Sequence, residues 1–262
     1  MASFPQSIQP LGVRLRAGIA VMGQELPRRL GLLRGNPPKD AHHPSLRLFL
    51  GEAAFPIKRA LRRFRTPLDV APAANPQTVI LMPGFGTAPV RMQYMAQHLE
   101  RAGHTVKRWG VGYNFGPTPE KFAQLASRVC DVRGRYDQRV VLVGWSLGGV
   151  FAREVAKLHP ECVAKVISMG SPFSHTPYSN NVWRAYQLVA GHSVDNPPVA
   201  KDLATKPPVE TVALWSPRDG VISPRAARGL PSERDRERAL RCTHMDFADS
   251  HEAISAILRE LA

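Results

Sequence analysis

Gly144-Trp145-Ser146-Leu147-Gly148-Gly149 leaves this chain few folds to choose from. The hexapeptide stands between Val140-Val141-Leu142-Val143, an apolar β-branched run, and Val150-Phe151-Ala152-Arg153-Glu154-Val155-Ala156, which has a helical pattern. A strand that reverses sharply into a helix forces its apex residue into a strained conformation. Side chains two positions away on either side would then strike the neighbouring chain. Glycines at 144 and 148 remove those side chains and leave the Ser146 hydroxyl at the carboxyl end of the strand, over a helix amino terminus that favours negative charge. A plain glycine-rich turn that tightens strand–helix packing is the competing reading, and the strand–turn–helix context weighs against it.

The elements around this turn keep one rhythm from residue 77 onward. Thr78 to Met82 reads as a strand, 89–102 as a helix, Thr105 to Val111 as a second strand and 119–130 as a second helix. Arg139 to Gly144 is the third strand and runs into a helix that ends near His159-Pro160. Val163 to Met169, Val209 to Trp215 and a short run from Ala239 to Thr243 complete the strands, and a last helix covers about 250–261. Parallel neighbours need crossover connections, so strands separated by helices imply an α/β, doubly wound, mainly parallel sheet of about six strands. The chain divides on this reading into a basic, partly helical extension, 1–76, and a catalytic domain, 77–262. Residues 171–208 interrupt that domain with six prolines and one expected helix around 180–190, and they form a small cap insertion.

Charge is concentrated in the extension. Residues 1–75 carry 12 basic and 4 acidic side chains, within a chain of net charge +14. Between 45 and 65, Leu46, Phe49, Leu50, Ile57, Leu61 and Phe64 fall on one side of a helical wheel, and Arg47, Lys58, Arg59, Arg62, Arg63 and Arg65 on the other. Pro56 divides the stretch into two shorter helices. The expected role is a helix that packs its apolar face on the domain with its arginines in solvent, and contact with an anionic membrane surface is the alternative. The short apolar stretch Ala17 to Met22 follows Arg14 and Arg16 and lacks a small-residue cleavage site, so it reads as part of the mature protein. An Arg-rich transit leader and a mistaken start codon are the alternatives. Cys130, Cys162 and Cys242 are too few and too scattered for a disulfide framework or a zinc site, which favours a reducing, cytoplasmic setting.

A serine hydroxyl needs a base, and the base needs an orienting acid. Of nine histidines, His244 lies just past the last strand, at the sheet edge that carries Ser146, whereas His251 reads as a solvent-facing residue of the final helix. Asp219 sits in Ser216-Pro217-Arg218-Asp219-Gly220, directly after the fifth strand. Its other reading is a plain turn-former before Gly220. Asp195 and Asp202 lack a preceding strand and are weaker candidates.

On the elbow, the Asp219 turn, the His244 loop and Met82-Pro83-Gly84-Phe85-Gly86-Thr87, residues 77–262 resemble the α/β-hydrolase family, in its compact bacterial lipase and esterase-like branch. The resemblance implies a serine hydrolase that cleaves carboxylic esters, with a Ser146-His244-Asp219 triad and no metal or organic cofactor. It further implies an oxyanion hole made by the backbone N–H groups of Phe85 and Leu147, although Pro83 stands where the family usually has histidine. The family's antiparallel first strands are not visible before residue 77. In the cap, Phe173, Trp183, Tyr186 and Leu188 either line an acyl pocket or simply pack. Thioesterase or acyltransferase chemistry would use the same machinery, and a binding protein that kept the fold would be expected to lack a triad residue. The substrate is a small-molecule ester. The dispersed arginines match no nucleic-acid motif, so no nucleic-acid partner is expected.

Overall fold

The computed structural model describes residues 25–64, 66–199 and 202–262. The apolar stretch at 17–22 lies outside them, as do the side chains of Arg63 and Arg65. Six strands, β1 (Thr78–Met82), β2 (Thr105–Arg108), β3 (Val140–Trp145), β4 (Val163–Met169), β5 (Glu210–Trp215) and β6 (Arg236–Ala239), pair in parallel in the order β2-β1-β3-β4-β5-β6. The central strands are mainly apolar because both faces of the sheet are covered. Val79 and Leu81 of β1, with Val141, Val143 and Trp145 of β3, pack on Met95, Leu99, Ile254 and Ile257. Ile80, Met82, Val140 and Leu142 pack on Leu125, Val129, Phe151 and Val155.

The covering helices follow in order. Residues 25–32 are helical (α1). Then come α2 (Leu46–Gly51), α3 (Phe55–Leu61), α4 (Gln93–Arg101), α5 (Pro119–Tyr136), α6 (Leu147–Leu158), α7 (Trp183–Ala190), α8 (Pro224–Arg228) and α9 (His251–Leu261). Thr118 caps α5 by accepting from the Lys121 N–H, and Ser250 caps α9 by accepting from the Ala253 N–H. No helix among the described residues is long and apolar enough to cross a membrane.

Several expectations shift. The second strand stops at Arg108 instead of Val111, because the chain turns through Gly110 and Gly112 at φ 88° and 74°. The sixth strand is Arg236–Ala239, not Ala239 to Thr243. All four of its residues are exposed at the sheet edge, so it carries no apolar signal, and the buried Leu240 and Cys242 lie beyond it. The cysteine reading is overturned as well: Cys130 of α5 and Cys162, just before β4, form a disulfide that closes 32 residues. Two cysteines scattered in sequence meet because α5 and the α6–β4 connection share one end of the sheet.

The largest departure is at 45–64. Leu46, Leu50, Ile57 and Leu61 point into solvent, each between 54 and 68 % exposed, and Phe64 is 72 % exposed. Three polar residues of the same segment turn toward the protein instead. Glu52 is buried, Lys58 pairs with Asp246 at 2.8 Å, and Arg62 pairs with Asp249 at 3.1 Å. Only Phe49, packed on Val221 and Ile222, follows the expectation of an inward apolar face. Ion pairs and buried hydrogen bonds with the domain orient this strap, and its leucines are turned outward as a consequence. Before the strap, α1 docks on α7: Arg29 donates to the Val189 carbonyl of that helix and Arg28 to the carbonyl of Gly191, its C-cap, each at 2.8 Å.

Chain-entropy loss in the unfolded state makes the 32-residue disulfide loop worth about 3–4 kcal/mol. Cys130→Ser should therefore lower unfolding free energy by that order in non-reducing urea titrations. It should change nothing relative to wild type that has been fully reduced beforehand.

Candidate active site

The sheet order places β1 between β2 and β3, so the chain leaves β1 to one side and returns to the other. The crevice at the carboxyl ends of β1 and β3 lies at this switch point. Ser146 stands there, between the end of β3 and the first turn of α6, with φ 55° and ψ −124°. Its N–H donates to the Met169 carbonyl at 2.8 Å, which holds the apex against β4. A Cβ on Gly144 would lie 2.4 Å from the Gly148 carbonyl oxygen, and one on Gly148 would lie 2.2 Å from that of Met82. These are backbone contacts that cannot move aside, so the two glycines are steric requirements of the turn.

The loops after β5 and β6 meet at the same edge. Asp219 is 1 % exposed, and its Oδ1 accepts the N–H groups of Val221 and Ile222, both at 2.8 Å. Its Oδ2 lies 2.8 Å from His244 Nδ1, and His244 is itself buried. A carboxylate only accepts, so Nδ1 carries the proton in this pair and Nε2 keeps the lone pair of the neutral ring. The indole N–H of Trp145, next to Ser146, donates to the His244 carbonyl at 3.1 Å, and the two rings lie 5.7 Å apart. Ser216 Oγ donates to the Cys242 carbonyl at 2.6 Å and ties the acid turn to the base loop. His251 lies elsewhere, on α9, with its Nε2 2.8 Å from the Tyr94 hydroxyl.

Ser146, Phe85 and Leu147 line one apolar cavity of about 90 Å³ together with Val150, Pro177, Val182, Trp183 and Tyr186. Phe85 and Tyr186 meet with ring centroids 5.1 Å apart, and burial pushes the Tyr186 phenol upward so that it stays protonated. Phe173 and Leu188 do not reach this cavity. Phe173 lies under the Arg153 guanidinium at 4.0 Å, and the Leu188 carbonyl accepts from Arg29. Arg153 projects from α6 into the interior and donates to the carbonyls of Ala204, Thr205 and Glu233. Desolvation lowers its pKa to about 10, still far enough above neutrality to keep it charged. It pins the chain before β5 against the elbow helix.

Two residues that sequence reasoning missed organise the site. Asn114 is buried, donates from Nδ2 to the Pro83 carbonyl at 2.8 Å, and exchanges backbone hydrogen bonds with Gly86 and Thr87. It thereby fixes the loop that carries Phe85. Its signal was the cluster Gly110, Gly112 and Gly116 around it, a turn at the carboxyl end of β2. Glu52 accepts three backbone N–H groups, from Gly220, His244 and Met245. It is the one acid within 45–65, where six basic residues drew attention away from it. As for metals, the one group of candidate ligands among the described residues is Cys130, Glu161 and Cys162, and its two sulfurs are joined to each other.

Comparison with known proteins agrees with this architecture. The family profile for the alpha/beta hydrolase fold matches residues 77–188. A pimeloyl-[acyl-carrier protein] methyl ester esterase from Edwardsiella ictaluri is 35% identical over 68 residues, which is 26% of this chain and 25% of that protein. The chain thus spans about a quarter of the length of the curated relative it matches. A Bacillus licheniformis lipase in its mature form superposes with a TM-score of 0.55 at 17% identity, over 75% of this chain and 96% of that one. A lipase-esterase related protein from Clostridium acetobutylicum gives 0.52 at 13% identity, over 74% and 96%. These likenesses concern the fold.

A methyl group at position 148 would meet the β1 carbonyls, so the β1–elbow contact must open to admit it. Gly148→Ala should cost about 2 kcal/mol or more, measurable as a lower denaturant midpoint with an unchanged m-value.

Proposed function

We propose, for a chain that belongs to the α/β-hydrolase superfamily, that it is a serine hydrolase that cleaves carboxylic esters through an acyl-enzyme. The Asp219–His244 hydrogen bond carries this reading: it is buried at the same sheet edge as Ser146, which lines an apolar cavity. Asp219 holds the proton on His244 Nδ1, so Nε2 takes the Ser146 proton as Oγ attacks the ester carbon. The carbonyl π pair moves onto oxygen, where the N–H groups of Phe85 and Leu147 receive it. Collapse expels the alcohol oxygen, which takes the proton from Nε2. Water then repeats the sequence, releases the acid and restores Ser146. A cavity of about 90 Å³ suits a short acyl chain, and the methyl ester named for the Edwardsiella relative is in keeping with a small alcohol group.

Hydrolysis of p-nitrophenyl esters with acyl chains of increasing length, wild type beside Ser146→Ala, tests this. Turnover should peak at the short end and fall about 10³-fold or more in the mutant, with the melting temperature nearly unchanged. His244→Ala should be similarly inactive and His251→Ala largely active. Folded wild type without Ser146-dependent turnover would sink the reading.

The outward stripe at Leu46, Leu50, Ile57 and Leu61 favours a second element of function, peripheral contact with an anionic lipid surface. Exposed Arg47 and Arg59 flank the stripe and supply the charge complementary to acidic headgroups, and the leucines supply apolar surface for the interface. Co-sedimentation should be strong with phosphatidylglycerol vesicles, weak with phosphatidylcholine, and lost in Leu50→Glu/Ile57→Glu. Equal recovery of that double variant and wild type would eliminate the lipid role.

A further inference from the structure

We infer that Glu52, on the strap before β1, is a positioning residue that holds the acid and base loops in register. The inference rests on the triad reading given above. Its geometry is specific. Oε1 accepts the Gly220 N–H at 2.9 Å and the His244 N–H at 2.7 Å, and Oε2 accepts the Met245 N–H at 3.0 Å. Gly220 directly follows Asp219, and His244 is the base itself, so one carboxylate bridges the backbones of both. Glu52 is 6 % exposed, and none of the ion pairs among the described residues includes it. A buried carboxylate with no cationic partner is costly unless donors surround it, and here the donors are the peptide groups of the two loops. The same cost, read from the other side, resists separation of the loops, because parting them would leave a bare buried carboxylate.

The surrounding contacts support a clamp and not a chance contact. A Cβ on Gly220 would lie 2.4 Å from the Leu48 carbonyl oxygen, so the strap rides directly on the acid turn and requires glycine there. Farther along the strap, Lys58 holds Asp246 and Arg62 holds Asp249, both in the segment that follows His244. Arg91 also donates to the Met245 carbonyl at 2.6 Å and to Asp249 at 2.9 Å. The base loop is thus fixed from outside the sheet, whereas Asp219 reaches His244 through a single hydrogen bond at 2.8 Å. That bond depends on loop separation, which Glu52 holds together with the Ser216–Cys242 hydrogen bond.

Misplacement of a catalytic group by about 1 Å can cost on the order of 100-fold in rate. Glu52→Ala should therefore lower kcat about tenfold to 100-fold, with KM within about twofold, because Glu52 does not line the cavity. Glu52→Gln keeps one acceptor and sets an amide N–H₂ against the third donor, so its kcat should fall between those of Glu52→Ala and wild type. Proton NMR gives a readout that turnover does not: the far-downfield resonance of the His244–Asp219 hydrogen bond should shift or vanish in Glu52→Ala at temperatures where circular dichroism shows a folded chain. If Glu52→Ala does not fold, Glu52→Gln carries the same comparison. Wild-type kcat in a folded variant, a loss confined to KM, or an unchanged downfield resonance would each overturn the inference. Should wild type show no Ser146-dependent turnover, the ester reading fails, and the resonance still decides the clamp.

Discussion

The turn from β3 into α6 closes only because positions 144 and 148 carry no side chain, and the rest of the molecule is arranged around that closure. With Gly148 against the Met82 and Pro83 carbonyls, β1 and α6 approach to backbone contact. The contact sets the loop after β1 beside Ser146: a Cβ on Gly84 would lie 3.3 Å from the Ser146 Cβ. The strain in Ser146, at φ 55°, is sustained by its N–H bond to Met169 and by the sheet on either side. A hydroxyl held this way has few rotational alternatives and stands at the helix amino terminus, where developing negative charge is favoured.

Partners for that hydroxyl must come from loops, and loops are the least constrained part of an α/β sheet. This chain constrains them with buried polar groups. Asp219 uses one oxygen on its own turn and the other on His244, Ser216 reaches the Cys242 carbonyl, and Asn114 holds the Pro83–Thr87 loop. Each is a hydrogen bond whose loss would leave an unpaired group in the interior, so together they specify one arrangement far more sharply than apolar contact could.

The strap at 45–64 shows the same physics outside the sheet. An amphipathic pattern says which residues share a side, and it does not say which side faces inward. Ordinarily the apolar side goes in, because each buried leucine contributes about 1.5–3 kcal/mol. Here Glu52, Lys58 and Arg62 each find a matched partner on the base loop, and the leucines are left in solvent. The basic character of the amino-terminal region therefore has two components: Lys58 and Arg62 are neutralised against carboxylates, whereas Arg47 and Arg59 remain outside.

Period and spacing alone made most of the sheet legible. Four of six strands coincide with mainly apolar runs, because a strand covered on both faces is largely apolar, and the elbow announced itself through two glycines in a strand–turn–helix context. The edge strand Arg236–Ala239 was hidden because an exposed strand carries no such run, and the Cys130–Cys162 pair because sequence distance says nothing of spatial distance. In the candidate site, Ser146 and Asp219 could be located by their place after strands, whereas His244 was reached through a run read as the last strand, which in fact ends at Ala239. Glu52 could not be located, since its partners are backbone N–H groups, which every residue possesses and no pattern marks. Local chemistry in the sequence determined the turns, the periods and the reactive side chains. Only the tertiary structure decided which buried donors met which acceptors, because that depends on separations between residues as much as 193 positions apart.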